Sequence, residues 1–315
     1  MSRALGLLAG WLLDRALGDP RRWHPVAGFG SAAAAVEKVV YRDARVAGVV
    51  HVLALVAPLA AVGTVAEGRL QRHPVLHTAA TAAVTWAALG GRSLDREAGT
   101  ISAQLGAGDL GAARRQVRNL VGRDPSRLDA DGVARACIES LAENTSDAVT
   151  APLLWGGALG LPGLLAYRAV NTLDAMVGHR SPRYLRFGWA AARLDDVVNW
   201  VPARVAGVAA VAFGTGLGSG SRGEAMDVVR RDAPAHPSPN GGVVEGAFAG
   251  ILGVSIGGTN VYDGRVENRG VLGRGPAATA RDIDPSRRLA TRVGLASLAV
   301  AALVASLVER RGPRT

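Results

Sequence analysis

The sequence predicts an all-α fold: a multi-pass integral membrane protein of helices, with a helical soluble insertion and Gly/Pro-rich polar loops. Three observations predict it. Four stretches, Val46–Ala66, Pro74–Gly91, Val205–Ser221 and Val293–Val308, carry no formal charge over 16 to 21 residues each. Hydrophobic residues make up 49% before the 41 glycines are counted; soluble domains reach roughly 45–50% with glycine included. No run alternates apolar and polar residues as a half-buried strand does, and no segment repeats.

Composition excludes several classes. Cys137 is the single cysteine of the 315 residues, so neither a disulfide scaffold nor a cysteine zinc site is expected. A disordered chain would lack this much apolar surface. The net charge is +10, and Lys38 is the lone lysine. Basic residues serve an anionic membrane face, an anionic substrate or nucleic acid. The arginines are scattered among acids and apolar spans, which excludes a nucleic-acid face.

The elements follow in order. Ala4–Leu13 is apolar but short, with Asp14–Arg15 behind it, and reads as an uncleaved first helix because no small-x-small site follows. Val46–Ala66 is long enough to cross about 30 Å of hydrocarbon, and membrane helices tolerate its mid-span Pro58. Pro74–Gly91 is a second span. Arg15, Arg21, Arg22, Lys38, Arg42 and Arg45 precede the first long span, and only Arg69 and Arg72 lie between it and the next. The positive-inside rule therefore puts residues 14–45, and the segment after Gly91, in the cytoplasm. Ala148–Ala166 is uncharged but holds Pro152, Pro162 and four glycines, which predicts a broken or re-entrant helix.

Arg92–Ala142 reads as the soluble helical part. Leu94, Ala98, Ile101 and Leu105 share one helical face. Asp109 caps a second helix that Gly122 stops, and Asp131 caps a third running from Gly132 to about Asn144. Arg222–Asn240 and Gly264–Arg288 read as polar loops. The organisation expected is one membrane-embedded domain, 1–315: N-terminal membrane helices 1–91, insertion 92–147, motif-bearing helices and loops 148–288, and a C-terminal membrane helix with its tail 289–315.

Four runs carry chemistry. Glu139 and Glu143 are four apart on one helix face, Asp147 extends the row, and Asn144 lies among them. Like charges in a row need a cation or bases between them, and such oxygens suit Mg²⁺ together with substrate phosphates. A solvated helix face has the same pattern. Asn171 and Asp174 sit in an otherwise apolar segment that leads to His179 and Arg180; polar groups there are costly unless paired or used. An interhelical hydrogen-bond network is the plain alternative. Arg193, Asp195, Asp196 and Asn199 precede the third span, as a Mg²⁺–phosphate site or as acids complementing a helix dipole. Last, Arg231, Asp232, His236, Ser238 and Asn240, with Glu245 beyond, lie in and after a loop stiffened by Pro234, Pro237 and Pro239. His236 suits acid–base work. No phosphate-binding P-loop or dinucleotide fingerprint is present.

Taken together, these runs resemble the cobinamide synthase family of cobalamin biosynthesis, also called adenosylcobinamide-phosphate synthase. The resemblance rests on Leu12–Pro20 with His24-Pro25-Val26, then Glu139–Asp147, Ala166–Arg180, Gly188–Asn199 and Asp232–Asn240, in order along nearly the whole chain. It implies a multi-pass inner-membrane enzyme whose motif-bearing loops are cytoplasmic. The implied reaction is ATP-dependent: it joins adenosylcobyric acid, a corrinoid carboxylate, to (R)-1-aminopropan-2-ol or its O-phosphate as an amide, with Mg²⁺.

That chemistry suits the residues. A carboxylate needs activation, most simply as an acyl phosphate, and phosphoryl transfer needs positive charge on its oxygens. Glu139, Glu143, Asp147, Asp195 and Asp196 are the metal-ligand candidates. Arg180, Arg193 and Arg231 are clamps for phosphate or carboxylate. His236 or Asp232 takes the amine proton, with His179 and Asn240 as further catalytic candidates. Asn144, Asn171, Asp174 and Ser238 join Arg231 as cosubstrate-binding candidates. The lipid bilayer is the expected surroundings, and a complex with later membrane-associated enzymes of the pathway is the expected partnership. Two other classes fit the acid-rich helices: a membrane transferase acting on a phosphorylated alcohol or diphosphate, which would need no ATP, and a non-catalytic accessory of a membrane biosynthetic complex.

Overall fold

The computed structural model describes residues 1–19, 24–122, 124–262 and 265–311. Pro20 of the N-terminal motif, Arg21 and Arg22 of the charge count, and Gly264 lie outside them. The chain forms two compact units, each assembled from separated segments: Met1–Gly90, Ala151–Asn199 and Leu298–Thr315 in one, Gly91–Thr150 and Trp200–Ser297 in the other.

In the first unit, helix Ser2–Leu17 lies along helix Pro74–Ala88. Gly6 and Gly10, one turn apart, make that approach possible. A Cβ on either would sit 2.5 Å from the Cβ of Thr81 or Thr85. Small residues four apart let helix backbones close on one another. Asp14 and Arg15, expected to interrupt the first helix, are part of it, and Asp14 is buried. Helix Arg45–Leu70 runs unbroken through Pro58 and packs on helix Leu161–Leu173. Gly63 faces Pro162 there. The expected break in Ala148–Ala166 falls at Gly160, whose φ is +74°. Pro162 instead lies in the first turn of helix Leu161–Leu173, where a proline lacks nothing the helix needs, and Pro152 lies in helix Ala151–Leu159 just after a π-helical turn, Ser146–Thr150. At the break, Glu67 accepts from the Leu161 amide at 2.9 Å and from Arg3 at 2.5 Å.

The second unit is built around helix Gly241–Leu252, buried along almost its whole length. Glycines again set the distances. A Cβ at Gly250 would lie 2.3 Å from the Ala225 Cα, and one at Gly207 would lie 3.0 Å from Val243. Around it pack helices Trp200–Phe213, Arg222–Arg231 and Ala130–Thr145. Gly91–Gly106 and Leu110–Val117 complete the expected helical segment. Asp109 caps the latter, accepting from Ala112 N at 2.8 Å.

Several expectations are corrected. The third cap is Asp129, which accepts from Gly132 N at 2.8 Å, and not Asp131, which lies in the first turn. The second helix ends at Val117, before Gly122. The segment Arg222–Asn240 is helical up to Arg231, because Ser221 caps it at Glu224 N and Ala225 and Val228 give it a buried face. The fold is mostly helical, as expected, with one addition: Ile256–Tyr262 and Arg265–Leu272 pair as an antiparallel hairpin, Ile256 opposite Leu272. Gly257, Gly258 and Gly270 there have φ between +72° and +85°. Glycine replaces side-chain alternation, so the strands left no period-two signal.

Among the described residues, two helices are long and apolar enough to cross a membrane, Arg45–Leu70 and Ala280–Arg310. A third span results if Trp189–Val198 and Trp200–Phe213, broken at Asn199, count as one. Helix Pro74–Ala88 has 15 residues, about 22 Å at 1.5 Å per residue, and falls short of the expected span. Trp200–Phe213 alone falls short as well, because Val205–Ser221 leaves the helix at Gly214.

Candidate functional site

Each unit gathers its own motif residues. In the first, helix Leu161–Leu173 opens into a π-helical turn, Asp174–Gly178. Such turns take one residue more than an α turn and recur at functional sites. Gly178 makes room for it, since a Cβ there would run into the Asp174 carboxylate. Asn171 accepts from Arg168 at 3.2 Å.

Helix Trp189–Val198 brings the other half. Asn199, buried at its end, donates to Asp195 Oδ2 at 2.9 Å and accepts from the Tyr167 hydroxyl at 2.9 Å. Asp174 and Asp196 lie close enough to Asp195 to act on it electrostatically, and Asn171 hydrogen-bonds it. Arg193 donates to Asp196 at 3.2 Å, and Arg180 adds its field. His179 and Arg180 are exposed, the imidazole edge-on to Tyr184 at 4.9 Å. Two runs some twenty residues apart in sequence therefore form one cluster of three carboxylates and two guanidinium groups. Tyr167 joins it unforeseen; its only sequence signal is its place one turn before Asn171.

In the second unit, Glu139 is buried on helix Ala130–Thr145. Its Oε1 accepts from the Gly257 amide at 2.7 Å and stands 3.8 Å from Arg135 Nε. Glu143 and Asn144 are half-buried; Asn144 donates to the Ser140 carbonyl at 2.9 Å. Asp147 sits in a second π-helical turn, Ser146–Thr150.

The Pro-rich loop is held from within. Ser238 Oγ accepts from Gly241 N at 3.0 Å and from Asn240 N at 3.3 Å, capping the buried helix. Asn240 accepts from Arg204 at 2.7 Å, and the same guanidinium donates to Pro239 O. Asp232 and Arg231 pair through two bonds of 2.7 Å, and Asp232 also takes the Gly273 amide. Burial works to raise the Asp232 pKa, but the Arg231 guanidinium and the Gly273 amide outweigh it and hold it below the usual carboxylate range.

His236 is sealed in. Its Nε2 stands 3.5 Å from Glu245 Oε1, both side chains being at most 1% exposed. Its Nδ1 faces the Ser238 backbone. Burial, with the Arg269 charge beside it, lowers its pKa below 6.5, so the ring is neutral at pH 7. Glu245, named in the sequence only as lying beyond the loop, and Arg204 were given no role in the site. An acid three residues past a Gly-Gly pair, in an otherwise apolar run, was the available signal for Glu245.

Among the described residues no three His, Cys, Asp or Glu side chains converge to hold a metal ion. Glu139, Glu143 and Asp147 thus form no preformed cage, and neither do Asp195 and Asp196 with a third ligand. The acid–arginine cluster of the first unit suits a phosphorylated group that brings its own cation, since magnesium often takes only one or two protein carboxylates.

Comparison with known proteins adds lineage. The sequence pattern of the family described as CobD/Cbib protein matches residues 7–290. The "Cobalamin biosynthesis protein CobD" of Mycobacterium tuberculosis is 50% identical over 314 residues, 99% of this chain and 98% of the relative. Proteins of the same name from Chromobacterium violaceum and Rhodobacter capsulatus are 44% and 42% identical, over 93% and 88% of this chain and 93% and 89% of their own lengths. No solved structure matches.

Proposed function

The chain belongs to the CobD/Cbib family, and on that footing we propose that it is an amide synthase of cobalamin biosynthesis. It attaches (R)-1-aminopropan-2-ol, or its O-phosphate, to the propionate carboxylate of adenosylcobyric acid, with ATP and its magnesium ion as cosubstrate. A propionate oxygen attacks the γ-phosphorus of ATP and ADP leaves, giving an acyl phosphate. The amine then attacks the acyl carbon, phosphate leaves, and the nitrogen gives up a proton.

The observation that carries this reading is the meeting of Asn171 and Asp174 with Asp195, Asp196 and Arg193 in one cluster. Arg180 and Arg193 neutralise transferring phosphoryl oxygens, and guanidinium forks match them bidentately. A carboxylate of the same cluster, Asp174 or Asp195, receives the amine proton. Tyr167 and Asn199 fix the side from which Asp195 acts. His236 and Asp232, engaged within their loop, serve as positioning residues.

We place the enzyme in the inner membrane as a multi-pass protein, its motif-bearing loops on the cytoplasmic side, where it can meet later membrane-associated enzymes of the pathway. Helix Arg45–Leu70 supports this: Val46, Leu53, Val62 and Val65 on it are each more than half exposed, which suits a lipid-facing surface. The test is to incubate membranes containing the protein with adenosylcobyric acid, aminopropanol phosphate, Mg²⁺ and ATP, and to weigh the corrinoids. An ATP-dependent gain of the aminopropanol phosphate moiety is expected. No product with that amine or with free aminopropanol, from folded protein, overturns the reading.

A further inference from the structure

Helix Pro25–Val40 of the first unit carries two charged residues, Glu37 and Lys38, in otherwise uncharged sequence. Glu37 is buried and has no part in the cluster described above. A carboxylate withdrawn from water is costly unless it is paired. Its Oε1 accepts from Arg183 Nη2 at 2.8 Å, from Arg183 Nε at 3.3 Å and from the Tyr184 hydroxyl at 3.1 Å. Tyr41, just past the end of the helix, donates its hydroxyl to the Arg183 carbonyl at 3.0 Å. The Arg183 guanidinium lies over the Tyr41 ring, 4.1 Å from its centre. The helix therefore grips both the side chain and the backbone of Arg183.

The stretch so gripped joins the π-helical turn Asp174–Gly178 to helix Trp189–Val198, and His179 and Arg180 open it. Tyr184 N donates to Ser181 Oγ at 3.2 Å, and Ser181 N donates to the His179 carbonyl at 2.9 Å. The Tyr184 ring meets the His179 imidazole edge-on. Glycines close the far end: a Cβ at Gly188 would run into the Val177 carbonyl, and one at Gly48 into the Phe187 carbonyl. Arg180 is exposed and acts on Asp196 through its field. Its place is set by its backbone, and Glu37 fixes that backbone through Tyr184 and Arg183.

We propose that Glu37 is a positioning residue: through Tyr184 and Arg183 it holds His179 and Arg180 where the Arg180 charge reaches Asp196. It touches no reacting atom. The inference rests on the synthase reading, in which Arg180 meets the transferring phosphoryl group. A guanidinium serves that step only if it is in place before the charge develops. A displacement of about 1 Å can cost about a hundredfold in rate.

The experiment uses the full chain and has two arms. In the first, a nitroxide on Arg180→Cys reports the motion of the segment; Cys137, the other thiol, is buried. The label is expected to be restrained, and to move more freely once Glu37→Ala is added. This arm needs no turnover, and an unchanged spectrum overturns the inference. In the second arm, synthesis is measured per folded enzyme at saturating substrates. Glu37→Ala is expected to lower kcat about tenfold or more. Glu37→Gln, which keeps an acceptor, is expected to stay within about threefold of wild type. Tyr184→Phe loses only the hydroxyl and is expected to show a smaller loss in both arms; it replaces Glu37→Ala if that variant does not fold. Glu37→Ala with Arg180→Ala is expected to be no slower than Arg180→Ala alone, because groups acting as one unit do not add. Losses that multiply overturn the inference and leave the synthase reading standing. Wild-type protein that makes no product overturns the synthase reading, and the nitroxide arm then decides whether Glu37 holds the segment.

Discussion

Glu245 Oε1 stands 3.5 Å from His236 Nε2 in a place closed to water, so an acid and an imidazole face each other inside the second unit. Burial dominates: it keeps the ring neutral despite the carboxylate opposite. A histidine whose folded pKa lies below its unfolded value adds stability at higher pH. That stability is fully present above about 6.5 and drains away as pH falls toward the folded value. The melting temperature of the wild-type chain is expected to drop between pH 7.5 and pH 5.5 by more than that of His236→Asn. Parallel slopes for the two proteins would refute the coupling.

Activity tests the acid–arginine cluster. Asp195→Asn and Arg193→Ala are each expected to lower synthesis by about a hundredfold or more, the scale of losing one transition-state contact. Arg193 is exposed, so its variant should melt as wild type does. Synthesis within a factor of two of wild type in both variants would remove the cluster from the reaction.

Glu139 separates shape from charge. Its Oε1 takes the Gly257 amide at 2.7 Å. Glu139→Ala strands that buried N–H and should cost about 1–3 kcal/mol. Glu139→Gln keeps an acceptor and should cost less. Chemical denaturation of the two variants checks the order.

Much of this was legible beforehand, for physical reasons. Long uncharged runs such as Val46–Ala66 become helices whatever surrounds them, and a cap such as Asp109 acts within three residues. The acids and arginines of the candidate site were visible because they interrupt apolar sequence at a cost. What stayed hidden depends on distant partners. The hairpin at Ile256–Leu272 is shaped by glycines, which leave no alternation to read. The pairing of His236 with Glu245 needs the loop to lie close against the start of helix Gly241–Leu252, where a Cβ at Gly242 would lie 2.6 Å from the His236 Cβ. The two π-helical turns left no mark in the hydrophobic period.

Close helix approach makes its own forecast. Gly10→Val places two more methyl groups where Thr85 already stands 2.5 Å from a Cβ. Overpacking of this kind costs about 1–3 kcal/mol. The detergent-solubilised variant should melt several degrees lower, whereas Gly28→Ala, with nothing within 4 Å of the added atom and inside a helix that alanine favours, should melt no lower than wild type.

Cys137 offers a probe that needs no substrate. Its thiol is buried and its pKa is pushed up to about 12 by that burial. The thiolate, the reactive form, is then scarce at pH 8. Maleimide should leave the folded chain unlabelled for hours and label it once in denaturant; rapid labelling of native protein would show that the helix Ala130–Thr145 opens readily.

The order in which the segments are joined has a consequence for how the chain is made. The first unit takes its walls from the beginning, the middle and the end of the polypeptide, with Leu298 onward supplying the last. During translation, roughly 200 residues wait on the ribosome's final hundred before that unit can close, although N-terminal segments ordinarily settle first. A premature stop near residue 290 would thus spare every motif and still leave half of them without a finished scaffold, a target for quality-control proteases.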